Sequence, residues 1–256
     1  MSEVVTARDG AVLTITLNRP DVLNALDLAM QRGLAGVLAE AAEPDVRAVI
    51  MTGAGRGFCV GQDIAEFPDD PAAVGELLRT HFNPNIRALR DLAKPVIAAI
   101  NGPAAGAGLA IAMACDLRLA AASASFVPAF LGIGLVPDSG LSWTLPQLIG
   151  AAASFEWLVT GRKMTADEAA TRGLVTRVVD DAALAAEAAA LAADLAARPT
   201  AAIGMTKRLL QDAATRSLPA QLDEEARLQA LAAAGDDFAE GVAAFREKRP
   251  ARFTGR

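Results

Sequence analysis

Pro95-Val96-Ile97-Ala98-Ala99-Ile100-Asn101-Gly102-Pro103-Ala104-Ala105-Gly106-Ala107-Gly108-Leu109-Ala110 decides the fold, and the uncharged run continues to Cys115. Its length is near the ~20 residues that a membrane-spanning helix needs. Asn101, Gly102 and Pro103 interrupt it, however, and Gly106 and Gly108 follow. The stretch therefore reads as a buried strand over Val96–Ile100, a turn, and a short buried helix near Gly108–Cys115.

The neighbouring sequence fits that unit. Leu13, Ile15 and Leu17 alternate with Thr14 and Thr16, the pattern of a half-buried strand. Val4–Ala7 reads as its hairpin partner across Asp9-Gly10, and Asn18-Arg19-Pro20 ends the pair. Asn24 is a candidate cap for a helix reaching about Glu40, with Leu26, Met30, Leu34 and Leu38 on one face. Val46–Thr52 reads as a strand, Ala72–Leu92 as a helix that Pro84 breaks or kinks, and Leu117–Ala120 and Ser125–Val127 as further strands. Strands alternating with amphipathic helices make an α/β chain. After one more strand at Val175–Val179 the pattern is helical: Ala183–Ala197, Ala201–Thr215 and Leu218–Lys248. Residues 1–198 are read as the core and 199–256 as a helical C-terminal segment, with the boundary near Pro199.

Composition excludes several chemistries. The 256 residues include one histidine (His81), two cysteines (Cys59 and Cys115), no tyrosine and 4% aromatics, with a net charge of −6. A Ser-His-Asp or Cys-His enzyme would have to use His81. A zinc site of the usual kind needs about four Cys or His ligands, so no metal site is expected. A nucleic-acid partner would want a basic face and stacking aromatics, and the chain has neither. Two cysteines in a chain this long fit a reducing compartment. Met1–Gly10 is polar and carries Glu3, Arg8 and Asp9, so no signal peptide is expected; the acidic balance gives no support for a membrane partner, and the location is read as cytoplasmic.

Three stretches can carry chemistry. Gly57-Phe58-Cys59-Val60-Gly61-Gln62-Asp63 follows a strand and a glycine-rich loop, where ligands can approach the main chain. Asp63 is placed to cap what comes next, and the stretch equally fits an ordinary strand-to-helix turn. At Gly106-Ala107-Gly108 small residues open a buried helix whose free amides would suit a negative charge; close helix packing explains the same residues. No Gly-Lys-Ser/Thr follows for a phosphate loop, and the third glycine of a dinucleotide fingerprint falls on Ile111. Phe130-Leu131-Gly132-Ile133-Gly134-Leu135-Val136-Pro137-Asp138 is apolar except for its final acid. Asp138 there is either a proton shuttle with a raised pKa or the cap of a helix starting near Ser139. Arg246, Lys248, Arg249, Arg252 and Arg256 form a basic cluster that is either solvated or holds a phosphate. Trp143 and Trp157 read as core.

Together with Leu17-Asn18-Arg19-Pro20, Leu23-Asn24-Ala25-Leu26, Lys94-Pro95, Cys115-Asp116 and the terminal Phe245-Arg246-Glu247, these stretches make the chain resemble the crotonase, or enoyl-CoA hydratase/isomerase, superfamily from end to end. The resemblance implies a spiral of ββα turns with a helical C-terminal part that packs in homotrimers, often paired into hexamers. It implies an acyl-CoA thioester substrate, with coenzyme A part of the substrate and no separate cofactor. It also implies an oxyanion hole of two backbone amides, which falls on Gln62 and Ala107, with Gly61, Asp63, Gly106, Gly108 and Phe130 around the substrate.

The departures bear on the reaction. The two glutamates with which hydratases of this superfamily add water fall on Ala110 and Phe130. Asp138 remains, and that pattern resembles the ring-1,2-epoxyphenylacetyl-CoA isomerases of phenylacetate catabolism and some Δ3,Δ2-enoyl-CoA isomerases. The implied reaction is an isomerisation through a thioester enolate with Asp138 as base. An aspartate there also resembles the nucleophile of 4-chlorobenzoyl-CoA dehalogenases, although their tryptophan position falls on Phe130. A catalytically silent acyl-CoA-binding subunit is the other alternative. The acyl pocket wall is expected from about Phe67 to Leu92.

Overall fold

The computed structural model describes residues 2–68 and 70–256. Met1 and Asp69, which belong to the polar opening segment and the expected pocket wall, lie outside the described residues.

Strands β1 (Val4–Asp9) and β2 (Val12–Leu17) form the expected antiparallel hairpin, turned at Gly10. Helix α1 (Leu28–Ala41) leads to β3 (Ala48–Gly53), which pairs parallel to β2. Then come α2 (Pro71–Leu77), α3 (Asn83–Asp91) and β4 (Val96–Ile100). All five β4 residues are buried, and each Val or Ile among them contributes about 1.5–3 kcal/mol by leaving water. Short strand β5 (Pro103–Ala105) runs into α4 (Gly106–Ala114), then β6 (Leu117–Ala121) and β7 (Ser125–Val127). After α5 (Leu141–Ile149) and α6 (Ala151–Thr160) come β8 (Met164–Thr165), α7 (Ala166–Thr171), β9 (Arg177–Val179) and α8 (Leu184–Ala196). Three helices close the chain: α9 (Thr200–Ala213), α10 (Leu218–Ala233) and α11 (Asp236–Glu247).

The large sheet has the order β1-β2-β3-β4-β6-β9, parallel beyond the hairpin. A second, small sheet has the order β5-β7-β8. Parallel bridges Cys59–Ala104 and Leu26–Gln62 extend it. Each repeat thus gives one long strand to the first sheet and one short strand to the second: β3 then Cys59, β4 then β5, β6 then β7. Parallel neighbours need a crossover, and α1, the α2–α3 pair and α4 supply it.

Two expectations need correction, and a third is met in a specific form. Asn24 does not cap α1; Asp27 does, accepting from the Met30 amide at 2.7 Å. Asn24 is fully buried at φ +59°, and its side chain joins the Arg19 amide to the carbonyls of Ala54, Gly57 and Phe58. Pro84 does interrupt the regular α-helix, as expected, and the interruption takes a specific form. Pro84 has no N–H for a carbonyl four residues back, and Leu78–Phe82 widen into a π turn in which Asn83 N–H reaches Leu78 O. Trp157 is core, but Trp143 is 44% exposed, with the Arg90 guanidinium 4.9 Å from its ring centre.

Candidate active site

Two backbone segments meet at the mouth of α4. Cys59 O accepts from Ala105 N at 2.9 Å, and Phe58 and Cys59 amides donate to Pro103 O. Glycine is required at this seam. A β-carbon on Gly108 would lie 2.2 Å from Cys59 O, and one on Gly61 would lie 3.0 Å from Ala105 O and 3.2 Å from Ala107 N. Gly61 also holds φ +95°, where an L side chain is strained. Gly61, Gln62, Gly106, Ala107 and Gly108 therefore lie together at this seam.

Among the donors that the seam leaves free are those of Gln62 and Ala107. Ala107 is the second residue of α4, so its N–H has no intrahelical acceptor. Gln62 is bridged on one side by Leu26, whose N–H donates to Gly61 O (2.8 Å) and whose carbonyl accepts from Asp63 N (3.0 Å). In that parallel pairing the middle residue turns its own N–H away from the bridge. Among the described residues neither the Gln62 nor the Ala107 amide meets an acceptor. All nine residues of α4 are buried, so charge near its N-terminus is little screened by water.

Asp138 lies on the segment before α5, and its carboxylate caps nothing. The residue preceding α5 is Gly140, without a side-chain cap, and only the Asp138 backbone carbonyl accepts, from Leu141 N at 2.9 Å. The cap reading of Asp138 is thus corrected. Its Oδ1 and the neighbouring Ser139 Oγ are buried without a hydrogen-bond partner among the described residues. Burial pushes the Asp138 pKa up from the ordinary carboxylate value; the Ser139 hydroxyl is near enough to oppose the rise, but makes no well-formed hydrogen bond. Ser139 stands at φ +50°, a strained conformation for a serine. A methyl at Gly140 would lie 3.6 Å from Ile86 Cγ2, so α3 of the expected pocket wall flanks this loop. Phe130 joins the same apolar core as Ala107 and Ala110.

Other groups are occupied elsewhere. Asp63 caps the single turn Ile64–Glu66 and pairs with Arg19 at 2.9 Å. Burial pushes both cysteine thiols up to about 12, which leaves them protonated and poor nucleophiles. His81 Nδ1 lies 2.7 Å from Thr80 Oγ1 on the π turn. Arg249 of the basic cluster is held by Glu240 at 2.7 and 2.8 Å. A cavity of about 640 Å³ lies apart from the seam, between Trp143, Asp116 and α9, and holds none of the expected site residues. Sequence reasoning missed Arg19 and Ser139. Arg19 sits in a strand-ending Asn-Arg-Pro, and the Ser139 backbone strain has no sequence signature beyond the flanking Gly140.

Residues 7–256 match the enoyl-CoA hydratase/isomerase family. The chain is 41% identical over 261 residues to 1,2-epoxyphenylacetyl-CoA isomerase from Escherichia coli (strain K12), covering all of both chains. It is 34% identical to 4-chlorobenzoyl coenzyme A dehalogenase-2 from Arthrobacter sp, covering 93% of this chain and 88% of that one. Its backbone matches the crystal structure of enoyl-CoA hydratase from Bacillus anthracis with a TM-score of 0.94 at 32% identity, over 99% of this chain and 100% of the other. The two-sheet spiral with helical C-terminal region is accordingly the crotonase fold. This chain belongs to the enoyl-CoA hydratase/isomerase family.

Proposed function

We propose that the protein is an acyl-CoA isomerase that shifts a double bond or opens an epoxide ring through a thioester enolate. The observation that carries the reading is a set of main-chain amides without acceptors, Gln62 and Ala107 among them, in a chain whose half-buried Asp138 carboxylate has its Oδ1 buried without a partner. The amides hold the thioester oxygen. Asp138 takes a proton from the carbon next to the thioester, and the C–H electron pair moves onto that oxygen as enolate. In a double-bond shift the proton returns to a different carbon as the charge collapses; in epoxide opening the collapse breaks the ring C–O bond, and the proton goes to the oxygen that leaves. One such donor is worth about 3–4 kcal/mol in the transition state, and a carboxylate with a raised pKa shuttles protons near neutrality. Gly61, Gly106 and Gly108 let the thioester approach the main chain, Phe130 walls the acyl group, and Asp63 steadies the loop. The reaction draws on no group beyond the coenzyme A of its substrate. The 1,2-epoxyphenylacetyl-CoA isomerase relative supports an epoxide substrate and a place in phenylacetate catabolism.

Hydration by two acids is disfavoured because Ala110 and Phe130 are buried apolar residues. The free carboxylate of Asp138 argues against a silent binding subunit. The test is a panel of 3-enoyl-, epoxyphenylacetyl-, 2-enoyl- and 4-chlorobenzoyl-CoA, with products separated by chromatography and identified by mass. Isomerised product lost in Asp138→Asn supports the reading. Hydrated or dechlorinated product, binding without turnover, or full activity in that variant overturns it. A homotrimer or hexamer is supported by the exposed Leu218, Leu222, Leu231, Phe238 and Phe245 of α10 and α11, and sedimentation measures it. No helix among the described residues is long and apolar enough to cross a membrane.

A further inference from the structure

Gln62 owes its free amide to the Leu26 bridge, and that bridge is short. It is an isolated pairing with no strand continuing on either side, and beyond Asp63 the chain makes only the single turn Ile64–Glu66, whose Ile64 is 71% exposed. One side chain spans it. Arg19 Nη1 donates to Ala25 O at 2.7 Å and to Asp63 Oδ2 at 2.9 Å, and Arg19 Nε pairs with Asp27 Oδ2 at 3.1 Å. Ala25 precedes Leu26, and Asp63 follows Gln62, so one planar cation grips both partners of the bridge. The three side chains are 22%, 19% and 8% exposed for Arg19, Asp63 and Asp27. At that burial, charge-assisted bonds are stronger than at an open surface. Asp27 in turn caps α1, and Glu66 accepts from Leu28 N at 2.9 Å, which fastens the same loop to the helix start.

We propose that Arg19 is a positioning residue for the reaction: by clamping Ala25 and Asp63 it fixes the direction of the Gln62 N–H toward the thioester oxygen. This rests on the reading of Gln62 and Ala107 as the oxyanion donors. A lysine keeps the charge but offers one compact donor in place of a rigid fork, so Arg19→Lys cannot hold Ala25 O, Asp63 and Asp27 together in the same geometry. Asp63→Asn keeps an oxygen for the Ala65 cap while removing the charge that Arg19 grips.

The experiment uses the full chain with a saturated acyl-CoA carrying a ¹³C thioester carbonyl. The bound carbonyl stretch is read by infrared difference spectroscopy, beside the dissociation constant of the same probe, Tm, and kcat and KM on the best substrate. Wild type is expected to lower the carbonyl frequency. Both variants are expected to lose most of that shift and about 10²-fold in kcat, with probe affinity and KM changed only a few-fold. If Arg19→Lys fails to fold, Asp63→Asn decides by the same readout. Folded variants that keep the full shift and kcat overturn the proposal, as does a kcat loss matched by the loss of folded protein alone. No shift in wild type overturns the oxyanion reading itself, and the clamp's proposed role falls with it.

Discussion

Gly108→Ala probes the seam between α4 and the Cys59 segment with a single methyl group. That methyl would lie 2.2 Å from Cys59 O, 2.6 Å from its carbonyl carbon and 2.7 Å from its Cβ. Ordinary C···O approach begins at about 3.3 Å, so the two backbones must separate by about 1 Å. They are held together by the 2.9 Å bond from Ala105 N to Cys59 O, so no side-chain rotation can relieve the clash. Overpacking of this kind costs about 1–3 kcal/mol. In a chain of this size that lowers Tm by about 2–4 °C per kcal/mol. The larger consequence is catalytic. Ala107 adjoins Gly108, so its N–H moves with the helix, and a displacement of about 1 Å at a positioned group costs about 10²-fold in rate. The assay is kcat/KM on the acyl-CoA that wild type turns over, beside thermal unfolding. Gly36→Ala is the control, because a methyl there meets nothing within 4 Å and Gly36 lies inside α1. That variant should keep its rate and gain up to about 1 kcal/mol. A Gly108→Ala protein with wild-type rate and Tm would refute both the seam and the donor assigned to Ala107.

Three further predictions concern Asp138, Ser139 and Arg47. Burial raises the Asp138 pKa, so the folded state holds that proton more tightly than the unfolded chain, and stability declines as pH rises from the ordinary aspartate range through the raised value. Asp138→Asn should therefore gain more in Tm over wild type above that window than below it, while turnover falls about 10²-fold or more; an equal Tm difference at both pH values would contradict the burial cost. Ser139→Gly removes a strained φ of +50° and a buried hydroxyl without a partner, and should stabilise by about 1 kcal/mol in denaturant titration. Without the hydroxyl that opposes the rise, the Asp138 pKa should climb further, moving the acid limb of the rate profile to higher pH. Arg47 donates to Thr200 Oγ1 (2.9 Å), Phe253 O (2.9 Å) and Arg198 O (2.6 Å). Arg47→Ala should cost about 2 kcal/mol and speed amide exchange at 250–256, measured by mass spectrometry; unchanged exchange there would show that Asp237, which accepts from Thr254 N and Gly255 N, and Glu240, which accepts from Arg252 N, secure the tail without it.

The long strands were legible because their signal is local. The alternation of Leu13, Ile15 and Leu17 and the uninterrupted apolar run of Val96–Ile100 each carry their own period, and the structure places strands over both. Glycines 61, 106 and 108 marked where main chain would be approached, which is again a property of single residues. What remained hidden depends on pairing across distance. Asn24 looks like a cap because helix follows it, yet its side chain is consumed by carbonyls about thirty residues away. Arg19 looks like a strand terminator until Asp63 is folded against it. Pro84 marks a break in the helix, but no period announces that the break is a π turn. Asp138 was open between cap and base for the same reason: only the placement of α5 shows that its carboxylate is unused.

The complete burial of α4 bears on how the reaction should respond to salt. Gly106–Ala114 carries no charged side chain and is surrounded by core, so dissolved ions cannot arrange themselves along it. Added electrolyte damps exposed charges over about 10 Å at 0.1 M, but it has no entry to this helix. Surface charges that meet a polyanionic coenzyme A tail on a chain of net charge −6 are open to that screening, so ionic strength should act on KM. The proposed enolate step, served by main-chain dipoles beside this helix, should proceed at the same kcat in dilute buffer and in concentrated salt.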